Sequence, residues 1–98
     1  MVDREITVRP ATADDAAAMA DVDRQSWPAP LATTADEFAA RIAAYADGQL
    51  VAIAAGRIVG TASAQRITTE FLAAQSHSYD SITDGNRFTR SHTGDGDI

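Results

Sequence analysis

Cysteine and lysine are both missing from this chain. Without cysteine there can be no disulfide, no thiolate nucleophile and no Cys-type zinc site. The eight basic residues are all arginines, scattered along the sequence. They stand against fourteen acidic ones, for a net charge of −6 and a sequence pI of about 4.5. The basic patch that marks nucleic-acid binding is therefore absent. An acidic surface can attract amines, although its plainer use is solubility. No apolar run reaches the ~18 residues of a membrane span, and the opening MVDREITVRP has no apolar signal core. A cytoplasmic protein without membrane or nucleic-acid partners is expected. The two histidines, His77 and His92, have no ligand cluster around them, so no metal site is expected. Asp95 and Asp97 echo a calcium loop only faintly, since its glutamate is missing. Only six residues are aromatic, and much of the 45 % apolar content is alanine. A chain of 98 residues buries roughly two-thirds of its unfolded surface, which allows one domain with a thin core.

What is present reads as alternating local signals. Glu5 to Arg9 alternates Ile6 and Val8 with polar residues, a short strand ended by Pro10. Thr12 is a suitable helix N-cap, followed by Asp14 and Asp15 in the first turn. Ala16, Met19, Val22 and Ser26 then recur at helical spacing, until Pro28 and Pro30 break the helix with Trp27 at the break. Thr34 to Glu37 (TADE) is a capping box. It opens a second helix whose apolar stripe is Phe38, Ile42 and Tyr45, with Gly48 as its stop.

Leu50 to Ala54 and Arg57 to Ser63 flank Ala55-Gly56 as a β-hairpin. Their nearly continuous apolar runs suggest a sheet covered, at least in part, on both faces. Gly60 marks a bulge or a close backbone approach. The stretch TTEFLAAQ can form a helical turn or two. From Gln75 onward the periodicity is lost, as in a functional or disordered loop. Asp95, Gly96 and Asp97 read as a turn, with Ile98 as the first residue of another strand. The expected class is α+β: a small antiparallel sheet, in the order β-α-α-β-β, with two helices packed on it. Residues 1–74 form the α/β region, and residues 75–98 a long polar loop leading to a strand.

Three stretches carry a family resemblance. ITVRPATADDAAAMADVDRQSWP (6–28), LVAIAAGRIVGTASAQRI (50–67) and SYDSITDGNRFTR (78–90) resemble, in order and separation, the N-terminal half of the GNAT superfamily of acyl-CoA-dependent N-acyltransferases. The resemblance implies that the residues after DGDI continue as strand four. It implies that a pyrophosphate loop of pattern Q/R-x-x-G-x-G/A comes next, holding the CoA phosphates at a helix N-terminus. Arg57 to Ala62 (RIVGTA) fits that pattern formally, but it lies within a strand, and the motif requires a strand, a loop and then a helix start. The implied activity is transfer of an acetyl group from acetyl-CoA to a small-molecule or peptide amine, with this stretch alone inactive. No cofactor is expected to bind these residues by themselves.

The candidates on the substrate side are four. Trp27 sits where the resemblance places the lining of the acceptor pocket; as a lone indole it also suits a core anchor. Glu70 is a possible general base, or a capping residue after Thr68 and Thr69. Tyr79 and Asp84 lie in the long loop. Asp84, like Asp80, can pair with a cationic acceptor, while Asp84-Gly85-Asn86 is more simply a turn. A Ser76-His77-Asp80 triad is arithmetically possible, but nothing like a nucleophile elbow supports it. Two readings outside catalysis stand beside the enzyme: a binding module that forms a homodimer through the open edge of its third strand, and an inactive product derived from the same fold.

Overall fold

The computed structural model describes residues 5–74 and 78–98. Three strands form one antiparallel sheet in the order β1-β2-β3, with β1 spanning Thr7–Pro10, β2 Gln49–Ala54 and β3 Arg57–Ser63. Pro10 is tolerated because it closes an edge strand, opposite Leu50. Helix α1 spans Ala16–Ser26 and α2 Ala35–Ala44. Short helices α3, Thr69–Ala74, and α4, Tyr79–Thr83, follow the hairpin. The expected α+β arrangement is the one observed.

Local chemistry explains each start and turn. Before α1, a 3₁₀ turn runs over Ala13–Asp15. The Asp15 carboxylate accepts hydrogen bonds from the Thr12 N–H and from the Arg9 guanidinium. At α2 the capping box is complete: Glu37 N–H donates to Thr34 Oγ1 at 3.2 Å, and Thr34 N–H donates to Glu37 Oε1 at 2.9 Å. The hairpin turns on Ala55 (φ 53°) and Gly56 (φ 75°), both left-handed. That pair of angles makes a type I′ turn, whose twist matches that of the strands. In β3, Ile58 pairs with Ile53 and Gly60 with Ala52, so Val59 is the extra residue of a bulge. A side chain at Gly60 would only reach ordinary contact with Ala52, at 3.6 Å. Gly60 therefore adjoins the bulge and permits no special approach.

Met19, Ala20, Phe38, Ile42 and Val51 form the core between the helices and one face of the sheet. Several expectations change here. On α1 the buried face runs through Ala16, Met19 and Ala20, whereas Val22 is half-buried and Ser26 exposed, because only the first half of the helix lies over the core. Tyr45 caps the end of α2 and does not continue its stripe. Gly48 is no helix stop: a Cβ there would meet the Tyr45 ring at 2.5 Å and the Ala64 carbonyl at 2.9 Å, so the glycine allows close packing. The helices cover one sheet face. On the other, Val8, Leu50, Ala52, Gly60 and Ala62 line an apolar hollow of about 180 Å³, and Val8 is exposed. The apolar runs of the hairpin thus do not reflect cover on both sides among the described residues.

The segment 78–98, aperiodic in sequence, is held by distant contacts. Phe88 and Ser91 are buried. Asp84, Gly85 and Asn86 turn through three successive left-handed conformations, the turn that DGN suggests. The final tight turn runs over Thr93 to Gly96, two residues before the expected position. The Asp97 carboxylate instead accepts from the N–H and hydroxyl of Thr69 at the start of α3. Ile98 exchanges both backbone hydrogen bonds with Ile67 (3.1 and 3.4 Å), the pattern of an antiparallel pair. The strand-like reading of Ile98 is consistent with this bond pair. Gln75, Ser76 and His77 lie outside the described residues.

Candidate functional site

A cavity of about 360 Å³ opens between the two long helices and the helix-facing side of β3. The end of α1 supplies Asp23 and Trp27. The Asp23 carboxylate accepts from the Thr33 N–H at 2.6 Å and so ties the connection between α1 and α2 to α1. Pro28 forces Trp27 into an extended conformation. That turns the indole off the helix, and a 3₁₀ turn at Ala29–Leu31 brings Leu31 beside the opening. Phe38 and Arg41 project from the buried face of α2. The bulge at Val59 sets the phase of β3, so that Thr61 and Ser63 face the cavity opposite Val51 and Gln49. Tyr79 of α4 closes the rim.

Trp27 is 55 % exposed. It is not the core anchor that its size allowed. Phe38 and Met19 fill that place, and the indole lies on the cavity wall. Tyr79 lines the same cavity, so the structure brings these two candidates together. It does not bring the other two. Glu70 is exposed in the first turn of α3. Asp84 accepts the N–H and the guanidinium of Arg90, which hold its carboxyl below the usual carboxylate range. It faces a separate hollow shared with Asp80 and Ser81. Arg57 to Ala62 lie in β3, so the RIVGTA stretch is a strand.

Two residues that spacing arguments passed over organise the cavity. Arg41 is 4 % exposed. Its Nε donates to the Asn86 carbonyl at 2.7 Å, and its Nη2 donates to Asn86 Oδ1 and to the Tyr79 hydroxyl. Asn86 in turn donates through Nδ2 to Thr33 Oγ1 and to Glu37 Oε1, both at 3.1 Å. Burial pushes the Glu37 carboxyl up, but hydrogen bonds from Thr34 and Asn86 outweigh it and hold the group below its ordinary value. The signal for Arg41 was present: a charged residue occupies the stripe between Phe38 and Ile42. The sequence marks Asn86 only as part of a turn, because the partners that tie it to α2 and to Thr33 lie 45 to 53 residues away.

No family model matches this sequence, and the search of curated proteins returned no significant match. Solved structures do match. The GphF GNAT-like decarboxylase, in complex with isobutyryl-CoA, superimposes with a TM-score of 0.75 at 27 % identity, over 92 % of this chain and 43 % of that one. The loading GNATL domain of CurA from Lyngbya majuscula gives 0.77 at 20 % identity, over 95 % and 43 %. The chain thus spans less than half the length of either structure. Its fold is the N-terminal half of a GNAT-like domain.

Proposed function

We propose that this chain forms the substrate-facing portion of an acyl-CoA-processing domain, and that its cavity receives the reacting end of the thioester. The observation that carries the reading is the cavity's position. It lies under the connection between α1 and α2, against β3, with Thr61 and Ser63 presented toward it. The decarboxylase neighbour, with isobutyryl-CoA bound, supports an acyl-CoA as the ligand. The apolar wall of Trp27, Leu31 and Phe38 fits an acyl group. None of the described residues forms a phosphate-binding loop at a helix N-terminus, so the affinity expected of these residues is low.

The reaction we propose first is the one the resemblance implies. An amine nitrogen attacks the thioester carbon of acetyl-CoA, the C–S bond breaks, and CoA leaves as the thiolate while the amine loses a proton. A second reading has specific support from the decarboxylase neighbour and from the guanidinium at the cavity. Here a carboxyacyl thioester loses CO₂, the C–C bond electrons remain on the α-carbon as an enolate, and a proton replaces the carboxylate. The strand-paired homodimer is a third reading, favoured only by the outer edge of β3, to which no strand is paired among the described residues. Sedimentation velocity showing monomer alone rules it out.

The experiment is a titration of the chain with acetyl-CoA, isobutyryl-CoA and free CoA, followed by amide spectra and by fluorescence of the single tryptophan. Acyl-CoA should shift Thr61, Ser63 and Trp27 more than free CoA does. Equal effects of all three, or shifts confined to other surfaces, overturn the reading.

A further inference from the structure

Three of the arginines mark a contrast. Arg9 pairs with Asp15 and Arg90 with Asp84. Both arginines reach solvent. Arg41, the buried one, has no carboxylate within ion-pair distance among the described residues. Its hydrogen-bond partners are the two oxygens of Asn86 and the phenol of Tyr79, all neutral. Its guanidinium carbon sits 4.3 Å from the centroid of the Phe88 ring and 5.5 Å from that of Phe38. Glu37 reaches this network only through the amide of Asn86. Asp23 lines the same cavity, with its carboxylate bonded to the Thr33 N–H.

A buried cation without a counter-ion is costly, because its hydration has been lost with no opposite charge to replace it. Cation–π contact returns part of that cost. Phe88 is held at φ 65°, an uncommon conformation for a bulky residue, so backbone strain accompanies the ring placed against Arg41. The third nitrogen, Nη1, makes no hydrogen bond among the described residues. Gln49 Oε1 is the one enclosed side-chain nitrogen or oxygen without a partner among the described residues, so Nη1 is not enclosed, and Arg41 lines the cavity.

We propose that Arg41 is the anion-recognising residue of this cavity, its unpaired guanidinium taking a substrate carboxylate through Nη1. Guanidinium and carboxylate match in geometry as well as charge. The assignment rests on the acyl-CoA reading above and narrows its substrate class. The carboxylate belongs either to the acyl chain of a carboxyacyl-CoA or to an acceptor that is an amino acid.

The test uses the whole chain and the arginine Nε–H signals in ¹H–¹⁵N spectra. Acetate should shift Arg41 and the Trp27 indole, whereas acetamide, and chloride at equal ionic strength, should not. Equal responses to acetate, acetamide and chloride overturn the proposal. Two pairs of probes then separate the sources: succinyl-CoA against butyryl-CoA, and glycine against methylammonium. A preference of roughly tenfold for the carboxylate member, the size of one charge-assisted contact, identifies the source. Arg41→Gln should abolish it, and Arg41→Lys should retain a part. If Arg41→Gln does not fold, the wild-type titration still decides. The two levels fail separately. An acyl-CoA response with no carboxylate effect at Arg41 removes the assignment alone. A carboxylate effect at Arg41 without an acyl-CoA response leaves an anion site and removes the acyl-CoA reading.

Discussion

The rings of Tyr45 and His92 lie face to face, with centroids 4.2 Å apart and planes 13° from parallel. Tyr45 ends α2, and His92 belongs to the segment that returns alongside Arg66, whose backbone N–H donates to His92 Nδ1 at 2.8 Å. The stack therefore joins the end of a helix to the segment leading to Ile98. An accepting Nδ1 carries no proton. Burial, and then the charge of Arg66, hold the imidazole below its ordinary value of 6.5. The unfolded chain thus takes up the proton first as pH falls. Stability should be complete above about pH 6.5 and decline below it. Urea midpoints at pH 8 and pH 5.5 should show the decline, and His92→Phe should remove it. An equal decline in His92→Phe places its origin elsewhere.

A second pH effect lies in the acid range. Hydrogen bonds from Arg9, and then from the Thr12 N–H, hold the Asp15 carboxyl down at about 2. The contribution is full above the unfolded value near 4 and is lost as pH falls toward 2. Because Arg9 is part-exposed, solvent screening limits it to about 1 to 2 kcal/mol. Asp15→Asn should lose that amount at pH 7 and almost nothing at pH 2, as read from denaturant midpoints.

Trp27 and Phe38 line one cavity but differ in burial. Phe38 is 2 % exposed, and Phe38→Ala should cost about 3 to 5 kcal/mol. Trp27→Ala should change stability by roughly 0.5 kcal/mol or less, as exposed positions do, while weakening the response to acyl-CoA. A large loss of stability in Trp27→Ala contradicts the assignment of the indole to the cavity wall.

The hairpin offers a gain of stability. Ala55 holds φ 53° in the first central position of a type I′ turn, where asparagine or glycine is favoured. Ala55→Asn should stabilise the chain by about 0.5 to 1 kcal/mol, relieving part of the left-handed penalty. Thermal or urea unfolding of the two proteins measures it.

The parts legible in sequence were those fixed by near neighbours. Thr34 and Glu37 announce α2 three residues apart, and Ala55-Gly56 announces the hairpin. Val59 was hinted at only by the glycine beside it. The segment 78–98 showed no period because its order comes from long-range partners: Asn86 with Arg41, Thr33 and Glu37, His92 with Arg66, and Asp97 with Thr69. Of the candidate site, Trp27 was marked as an aromatic at a helix break and Tyr79 as a residue of the long loop, and the two meet at one cavity. Glu70 and Asp84 were marked by charge alone, which does not say where a side chain faces. Arg41 was overlooked because a stripe read for apolar residues passes over the charge within it.

The bulge in β3 also bears on how the hairpin can change in length. Val59 has no partner in β2, since Ala52 faces Gly60 and Ile53 faces Ile58. A shortened strand that drops this one residue keeps every existing pair. A residue lost beyond the bulge, at Thr61 or Ala62, would turn the following side chains to the opposite face. The hairpin therefore carries a spare position. Through it, insertions and deletions can drift without turning the hydroxyls of Thr61 and Ser63 away from the helices.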